Sequence, residues 1–198
     1  MKLVVITGCL GFIGSYVTRQ ALDKGWKVYG IDKCTYASNP ELLHEFGANN
    51  NFTFLKEDIA DLQSLPDCDY VINTAAETHV GNSILDSADF IHTNVAGVKN
   101  LLDLIRNKPY GVEYIIFRPT NNYGIYQHHE KLVPLAIKLL QWGKKIRLHD
   151  AGEPIRNWLH ASDTARAVIT IIENGSVNEI YNVAGGFEQK NKETVKSI

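Results

Sequence analysis

The chain has 198 residues, 44% of them hydrophobic and 21% charged, with a formal net charge of -2. This composition is that of a globular domain and gives no electrostatic reason to expect nucleic acid or an anionic membrane as partner. No apolar run is long enough to span a bilayer, the N-terminal run is too short for a signal peptide, and Cys9, Cys34 and Cys68 form no Cys-x-x-Cys pair. A membrane anchor, a disulfide framework and a zinc site are therefore not expected, and the cytoplasm is the expected compartment.

The first element is an apolar, β-branched run, Leu3 to Thr7, that stops at Gly8. Gly11 and Gly14 follow at steps of three, and Phe12, Ile13, Val17, Ala21 and Leu22 share one side of the helix pattern that comes next. The spacing predicts a strand, a tight turn and a helix whose N-terminus faces a phosphate. Gly8 serves the turn, Gly11 the close approach of a pyrophosphate, and Gly14 the packing of helix on strand. An ordinary strand-to-helix turn is the plainer reading of three spaced glycines. Trp26 to Ile31 then reads as a second strand ending at Asp32. An acid there is placed to accept from the adenine-ribose hydroxyls and repels a 2′-phosphate. Together these features predict dinucleotide binding, with NAD favoured over NADP. Cys9, inside the turn, is read as a small turn residue in preference to a reactive thiol.

Strands and helices continue to alternate. A short helix is expected from Asn39 to Phe46 and a strand over Phe52 to Leu55. A fourth strand covers Asp69 to Asn73, and a long helix Ser83 to Asn107, with a break near Asp86 to Ala88. Another strand covers Val112 to Arg118. Beyond Pro119 the pattern turns irregular, with a helix near Lys131 to Trp142, a helix capped by Ser162-Asp163-Thr164 and running through Ile172, a strand over Glu179 to Val183, and a last helix from Lys192. Alternation of this kind implies an α/β fold with a parallel sheet covered by helices. The expected division is a Rossmann-type, doubly wound domain over residues 1–118, with helix 162–172 packed back on it, and a smaller α/β substrate lobe over 119–198.

Five segments, in order, carry a resemblance to a known family. They are Asp32-Lys33-Cys34-Thr35-Tyr36-Ala37; Asn73-Thr74-Ala75-Ala76-Glu77-Thr78-His79-Val80; Thr93-Asn94-Val95-Ala96-Gly97; Arg118-Pro119-Thr120-Asn121-Asn122-Tyr123-Gly124 with Glu130-Lys131-Leu132-Val133-Pro134; and Arg156-Asn157-Trp158-Leu159. The chain resembles the extended short-chain dehydrogenases/reductases, and among them the dTDP-glucose 4,6-dehydratases. The resemblance implies a lyase reaction closed on itself in redox terms: hydride passes from C4 of a hexose to NAD, water leaves across C5 and C6, and hydride returns to C6. A related sugar-nucleotide epimerase is the neighbouring alternative.

The family's chemistry uses a helical Tyr-x-x-x-Lys pair, in which the lysine lowers the tyrosine pKa, and a Thr-Asp-Glu segment for proton transfer. This sequence contains neither, so no catalytic residue is assigned. Tyr29 and Lys33 have the spacing, but they flank Asp32 at the adenosine end. In the family a strand-plus-helix unit lies between the Thr-Asn-Val-x-Gly helix and the strand before Asn-Asn-Tyr-Gly. Here Asn107-Lys108-Pro109-Tyr110-Gly111 joins those elements directly. The loss of a central strand would leave unpaired backbone and exposed apolar faces. A longer natural protein is therefore expected, with a true deletion, and a non-catalytic binder of NAD and sugar nucleotide, as the alternative. An intact mass of 22.2 kDa would go with the deletion.

By resemblance, Gly8, Gly11, Phe12, Ile13 and Gly14 cradle the pyrophosphate, Asp32 holds the ribose, Asp58 and Ile59 touch the adenine, and Ala75, Ala76 and Thr93 border the cofactor. Each has a plainer role to set beside this: a helix cap for Asp58, tight packing for the alanines, a helix-surface position for Thr93. On the substrate side the resemblance implies His79, Asn122, Lys131, Leu132, Arg156 and Asn182, with a dTDP- or UDP-hexose as partner. Arginine offers the forked donor set that a diphosphate needs. His79 reads equally as structural, Asn182 as a strand-end turn, and Lys131 and Arg156 as solvated charges. The family's Tyr-Gly-Asp-Gly segment reads His149-Asp150-Ala151-Gly152 here. No metal is expected, His128 and His129 having no companions at ligand spacing. The family is homodimeric, an implication weakened here because the absent helix belongs to the usual dimer surface.

Overall fold

The computed structural model describes residues 1–106 and 112–198. The junction Asn107 to Gly111, on which the argument for an absent unit turns, lies outside the described residues, as does the expected end of the long helix at Asn107. The chain divides into two compact units, Met1–Tyr114 and Ile115–Ile198.

In the first unit, β1 (Leu3–Thr7), β2 (Lys27–Asp32), β3 (Phe52–Lys56) and β4 (Tyr70–Asn73) form a parallel sheet in the order β3-β2-β1-β4. β1 is interior because it is apolar on both faces: Val4, Val5 and Ile6 are fully buried. Val4 lies in register with Val28 on one side and Tyr70 on the other. Helix α1 (Phe12–Asp23) buries Val17, Thr18, Ala21 and Leu22. Helix α2 (Leu42–Gly47) buries Leu42 and Phe46, and Arg19 of α1 grips Glu45 of α2 with two nitrogens.

The long helix is broken where the sequence places the break. It is found as α3 (Val80–Leu85), α4 (Ala88–Ile91), a π-helical stretch over His92–Gly97, and α5 (Val98–Arg106). Asp86 makes the break: its backbone is extended and its Oδ1 accepts from the Ala88 N–H at 2.9 Å. In the π-helical stretch Gly97 lies so close on Ile59 that a Cβ would come within 2.6 Å of Cγ1.

One edge of this sheet is open. β4 pairs with β1, and among the described residues no strand pairs with its other side. α5 buries Leu101 in a core with Val5, Ile31, Ile59 and Leu62. Yet Val95 and Leu102 are 62% and 45% exposed. A parallel strand edge and apolar helix positions of this kind are normally covered.

In the second unit, β5 (Ile115–Pro119) pairs in parallel with β8 (Glu179–Val183). The sequence reading set its boundary after Arg118, whereas β5 falls in this unit. A separate sheet joins β6 (Asn121–Tyr123), β7 (Ile155–His160) and β9 (Phe187–Lys190), with β6 parallel and β9 antiparallel to β7. Its helices are α6 (Leu132–Gln141), α7 (Ala161–Asn174) and α8 (Asn191–Lys196). The expected cap at Ser162 is displaced. His160 is the N-cap, its Nδ1 accepting from the Ser162 N–H at 3.3 Å, and Ser162 lies within the first turn. A histidine acceptor does the work more often done by a hydroxyl or carboxylate.

The turn before β7 is strained. Asp150 and Ala151 both have left-handed backbone, with φ of 48° and 49°. An L-residue there costs about 1–2 kcal/mol, which glycine avoids. Ala151→Gly should therefore raise the urea-unfolding free energy by about 0.5–1 kcal/mol. Next to it Glu153 binds Lys190 and Lys192, whose ammonium groups hold its carboxyl down at about 2.

Candidate cofactor and substrate sites

Gly8, Gly11, Asp32, Asp58, Ile59, Ala75, Ala76 and Thr93 line one pocket at the carboxyl ends of the strands in the first unit. Open α/β sheets bind ligands at this end. Gly8 has φ +68°, and a Cβ on it would come within 2.8 Å of the Ala75 backbone. A Cβ on Gly14 would lie 2.0 Å from the Gly8 carbonyl oxygen. The turn is thus packed against both its own backbone and the end of β4, leaving room for glycine alone. α1 begins at Phe12 with Gly11 as N-cap and no side-chain cap. The first-turn N–H groups, those of Phe12, Ile13 and Gly14, therefore have no side-chain acceptor and suit an anion.

Asp32 stands at the tip of β2, 6% exposed. Its carboxylate is oriented by the Leu10 N–H on Oδ2 at 3.0 Å and the Cys34 N–H on Oδ1 at 2.8 Å. An oriented carboxylate beside an uncapped helix N-terminus fits the two ends of an adenosine diphosphate, a ribose diol and a pyrophosphate. Cys9 is fully buried, and burial pushes its thiol well above the ordinary range. It is an inert packing residue in the turn.

Two of the cofactor candidates are engaged by the protein itself, though not in the helix-cap and helix-surface roles set beside them: among the described residues no helix follows Asp58 before β4, and Thr93 is buried. Asp58 Oδ1 accepts from the Ala60 N–H at 2.9 Å. Its Oδ2 faces the Lys33 ammonium at 3.3 Å and His92 Nε2 at 3.5 Å. Burial alone would raise this carboxyl, but the Ala60 N–H, Lys33 and His92 outweigh burial and hold it below its ordinary value. Thr93 is buried rather than on the helix surface, and its Oγ1 accepts from Lys33 Nζ at 2.8 Å. Asp58, Asp61 and His92 each offer a ligand atom within 4.8 Å of the others. The Lys33 ammonium already supplies the positive charge there.

Lys33 is the residue that sequence reasoning passed over. Its stem leaves the tip of β2, and its ammonium also lies 3.8 Å from Glu77 Oε1. The signal was present in the Asp32-Lys33 pair, but its targets are 25, 44 and 60 residues away. Tyr29 packs on the core from within β2, so Tyr29 and Lys33 do not form a helical pair. With a depressed Asp58, the native state is favoured above the ordinary carboxylate value of 3.8, and that contribution is lost as pH falls through the folded-state value. Lys33→Met moves Asp58 back towards its ordinary value. Urea stability of this variant should therefore fall less than that of the wild type between about pH 5 and about pH 3.

His79 is the N-cap of α3, its Nδ1 accepting from the Asn82 N–H at 3.1 Å. Its ring meets Tyr36 edge-on, with centroids 6.2 Å apart. In the second unit Asn122 is engaged locally: Oδ1 accepts from Thr164 Oγ1 and Nδ2 donates to the Thr120 carbonyl at 2.9 Å. Thr164 is fully buried, so this bond ties β6 to α7. Lys131 precedes α6, pairs with Glu130 at 2.7 Å and is followed by Leu132, the first residue of that helix. Arg156 is exposed on β7, in register with Gln189, and shares a sheet with Asn122. Asn182 is exposed on β8, in register with Arg118, on the other sheet.

The GDP-mannose 4,6 dehydratase family model matches residues 5–110, and the NAD dependent epimerase/dehydratase family model matches residues 106–184. A dTDP-glucose 4,6-dehydratase of Haemophilus influenzae is 31% identical over 266 positions, covering 100% of this chain and 79% of that protein. The chain belongs to the 4,6-dehydratase family. The crystal structure of the Streptomyces venezuelae dTDP-glucose 4,6-dehydratase DesIV, with NAD bound, matches at a TM-score of 0.90 and 28% identity over 98% of this chain and 79% of that one. A UDP-glucuronic acid 4-epimerase of Bacillus cereus shares the fold at a TM-score of 0.89 and 19% identity, covering 98% of this chain and 82% of that one. The Rossmann-type fold read from sequence stands, and the cofactor of this family is NAD.

The comparison also measures what this chain lacks. Against 198 residues, an alignment of 266 positions leaves at least 68 without a counterpart here. The two family models meet at residues 106–110, on the junction at which the sequence argument places the absent unit.

Proposed function

We propose that the protein is an NAD-dependent nucleotide-sugar 4,6-dehydratase acting on a dTDP- or UDP-hexose, and that this chain supplies the parts that hold cofactor and substrate. The pocket built on Gly8, Gly14 and Asp32 carries the reading, in a chain that aligns along its whole length with dTDP-glucose 4,6-dehydratases. NAD supplies a hydride acceptor that the reaction returns to its starting state. Gly11 and the first turn of α1 receive the pyrophosphate, Asp32 the ribose, and Asp58 and Ile59 the adenine. Ala75, Ala76 and Thr93 border the cofactor. His79, Asn122, Lys131, Leu132, Arg156 and Asn182 are the substrate-side candidates, and Arg156 and Lys131 supply the positive charge that a diphosphate requires.

The proton-transfer groups come from a strand-plus-helix unit that this sequence does not contain. The open edge of β4, the exposed Val95 and Leu102, and the meeting of the family models at 106–110 support its placement there. The second reading is a binding protein without catalysis, favoured by the lack of any helical Tyr-x-x-x-Lys pair in 198 residues. A cytoplasmic homodimer is part of the first reading; no described helix is long and apolar enough to cross a membrane.

The deciding experiment replaces Asn107 to Gly111 by the corresponding strand-plus-helix unit of the Haemophilus influenzae relative. With NAD and dTDP-glucose or UDP-glucose, the chimaera should form a 4-keto-6-deoxy sugar nucleotide. A chimaera that binds NAD but forms no keto sugar from either donor would contradict the dehydratase reading. An epimerised product would assign the chain to the epimerases.

A further inference from the structure

Asp32 carries three hydrogen-bond donors from the protein alone. The Leu10 N–H reaches Oδ2, while the Cys34 N–H and Ser38 Oγ both reach Oδ1, the latter at 2.7 Å. A carboxylate has about four acceptor positions, shared between its two oxygens. Oδ1 is therefore filled and Oδ2 keeps a single place. The adenine ribose brings two hydroxyls, so one of them lacks an acceptor on Asp32. Ser38 lines the same pocket as Asp32, and its hydroxyl has spent its only proton on Oδ1. Its lone pairs are left to accept.

We infer that Ser38 is a second ribose acceptor, so that the adenine ribose is held by Asp32 Oδ2 together with Ser38 Oγ. This rests on the reading of the pocket as an NAD site. The position of Ser38 is built by the surrounding backbone. Its N–H donates to the Thr35 carbonyl at 3.1 Å, and the next residue, Asn39, donates to the Leu10 carbonyl in the glycine turn at 2.9 Å. Cys34, at φ 61°, turns its own N–H back onto Asp32. Ser38 also sharpens the preference for NAD. A 2′-phosphate would need the Ser38 proton turned towards it, which would strip Asp32 of one of its donors while placing two negative charges side by side.

The test measures the dissociation constants of NAD and of its 2′,3′-dideoxyadenosine analogue by equilibrium titration. The ratio of the analogue's dissociation constant to that of NAD reports the ribose hydroxyls alone. Ser38→Thr keeps the hydroxyl and should keep the wild-type ratio. Ser38→Val fills the same volume with a methyl group, which blocks the ribose from moving in on Oδ1, and should lower the ratio by about tenfold. A purely structural Ser38 would weaken both ligands alike, and an unchanged ratio in Ser38→Val would overturn the inference. Should valine prevent folding, Ser38→Cys, whose sulfur keeps the place beside Oδ1 filled but accepts only weakly, is read by the same ratio. A wild type that binds NAD and analogue equally would instead overturn the assignment of the pocket to the adenine ribose.

Discussion

Turnover by the 198-residue chain is expected to fall at least about 10⁴-fold below that of the chimaera carrying the strand-plus-helix unit, at equal occupancy by NAD. Positioned acid and base groups each contribute about 10²–10⁴-fold, and removing both the Tyr-Lys pair and the carboxyl groups of Thr-Asp-Glu removes more than one such contribution. Two carboxylates that line the pocket are already engaged. Glu77 is tied to Lys33 and accepts from the Tyr36 hydroxyl at 3.2 Å, and Asp58 is held by Ala60, Lys33 and His92. Both carboxylates already accept hydrogen bonds or face ammonium or imidazole groups of the protein. Product formation by the two proteins, followed by mass spectrometry, checks the expectation. Comparable rates would mean that proton transfer uses residues of this chain.

The second large effect is expected from Gly14→Ala. The added Cβ would meet the Gly8 carbonyl oxygen at 2.0 Å, Thr74 Oγ1 at 2.7 Å and the Gly8 carbonyl carbon at 2.8 Å. Two of these are backbone atoms of the glycine turn and cannot give way singly. The helix must lift off the strand or the turn must open. Overpacking of this kind costs about 1–3 kcal/mol, and the loss should show in urea unfolding. NAD affinity should fall by about 100-fold or more, because the first-turn N–H groups move with the helix. Gly25→Ala is the control. Unlike Gly14, which lies within α1, it has positive φ, +73°, and nothing lies within 4 Å of its Cβ. It should cost about 1 kcal/mol of backbone strain and leave NAD affinity unchanged.

What could be read from the sequence was what is local. β1, the glycine turn, α1 and the acid at the tip of β2 all lie within the first thirty-two residues, and each is dictated by its neighbours in the chain. The break at Asp86 was legible for the same reason, since an aspartate that bonds the N–H two residues on competes with the helix. The long-range side-chain bonds were less so. Lys33 reaches Thr93 across sixty residues, and Asn122 meets Thr164 across forty-two. No spacing rule announces such pairs, because they depend on which loops the sheet order brings together. His160 in place of Ser162 as the cap of α7 is a subtler miss. The two side chains bond each other at 2.7 Å, and only the backbone angles show which residue precedes the helix. The absent strand was legible through a motif that ought to be there, and the open edge of β4 is its structural counterpart.

Equilibrium titration of the 198-residue chain with NAD and with NADP tests the central claim most directly. The account predicts saturable binding of NAD at one site, weaker binding of NADP, and loss of the difference in Asp32→Ala. Failure to bind NAD, or equal affinity for the two dinucleotides in the wild type, would contradict it.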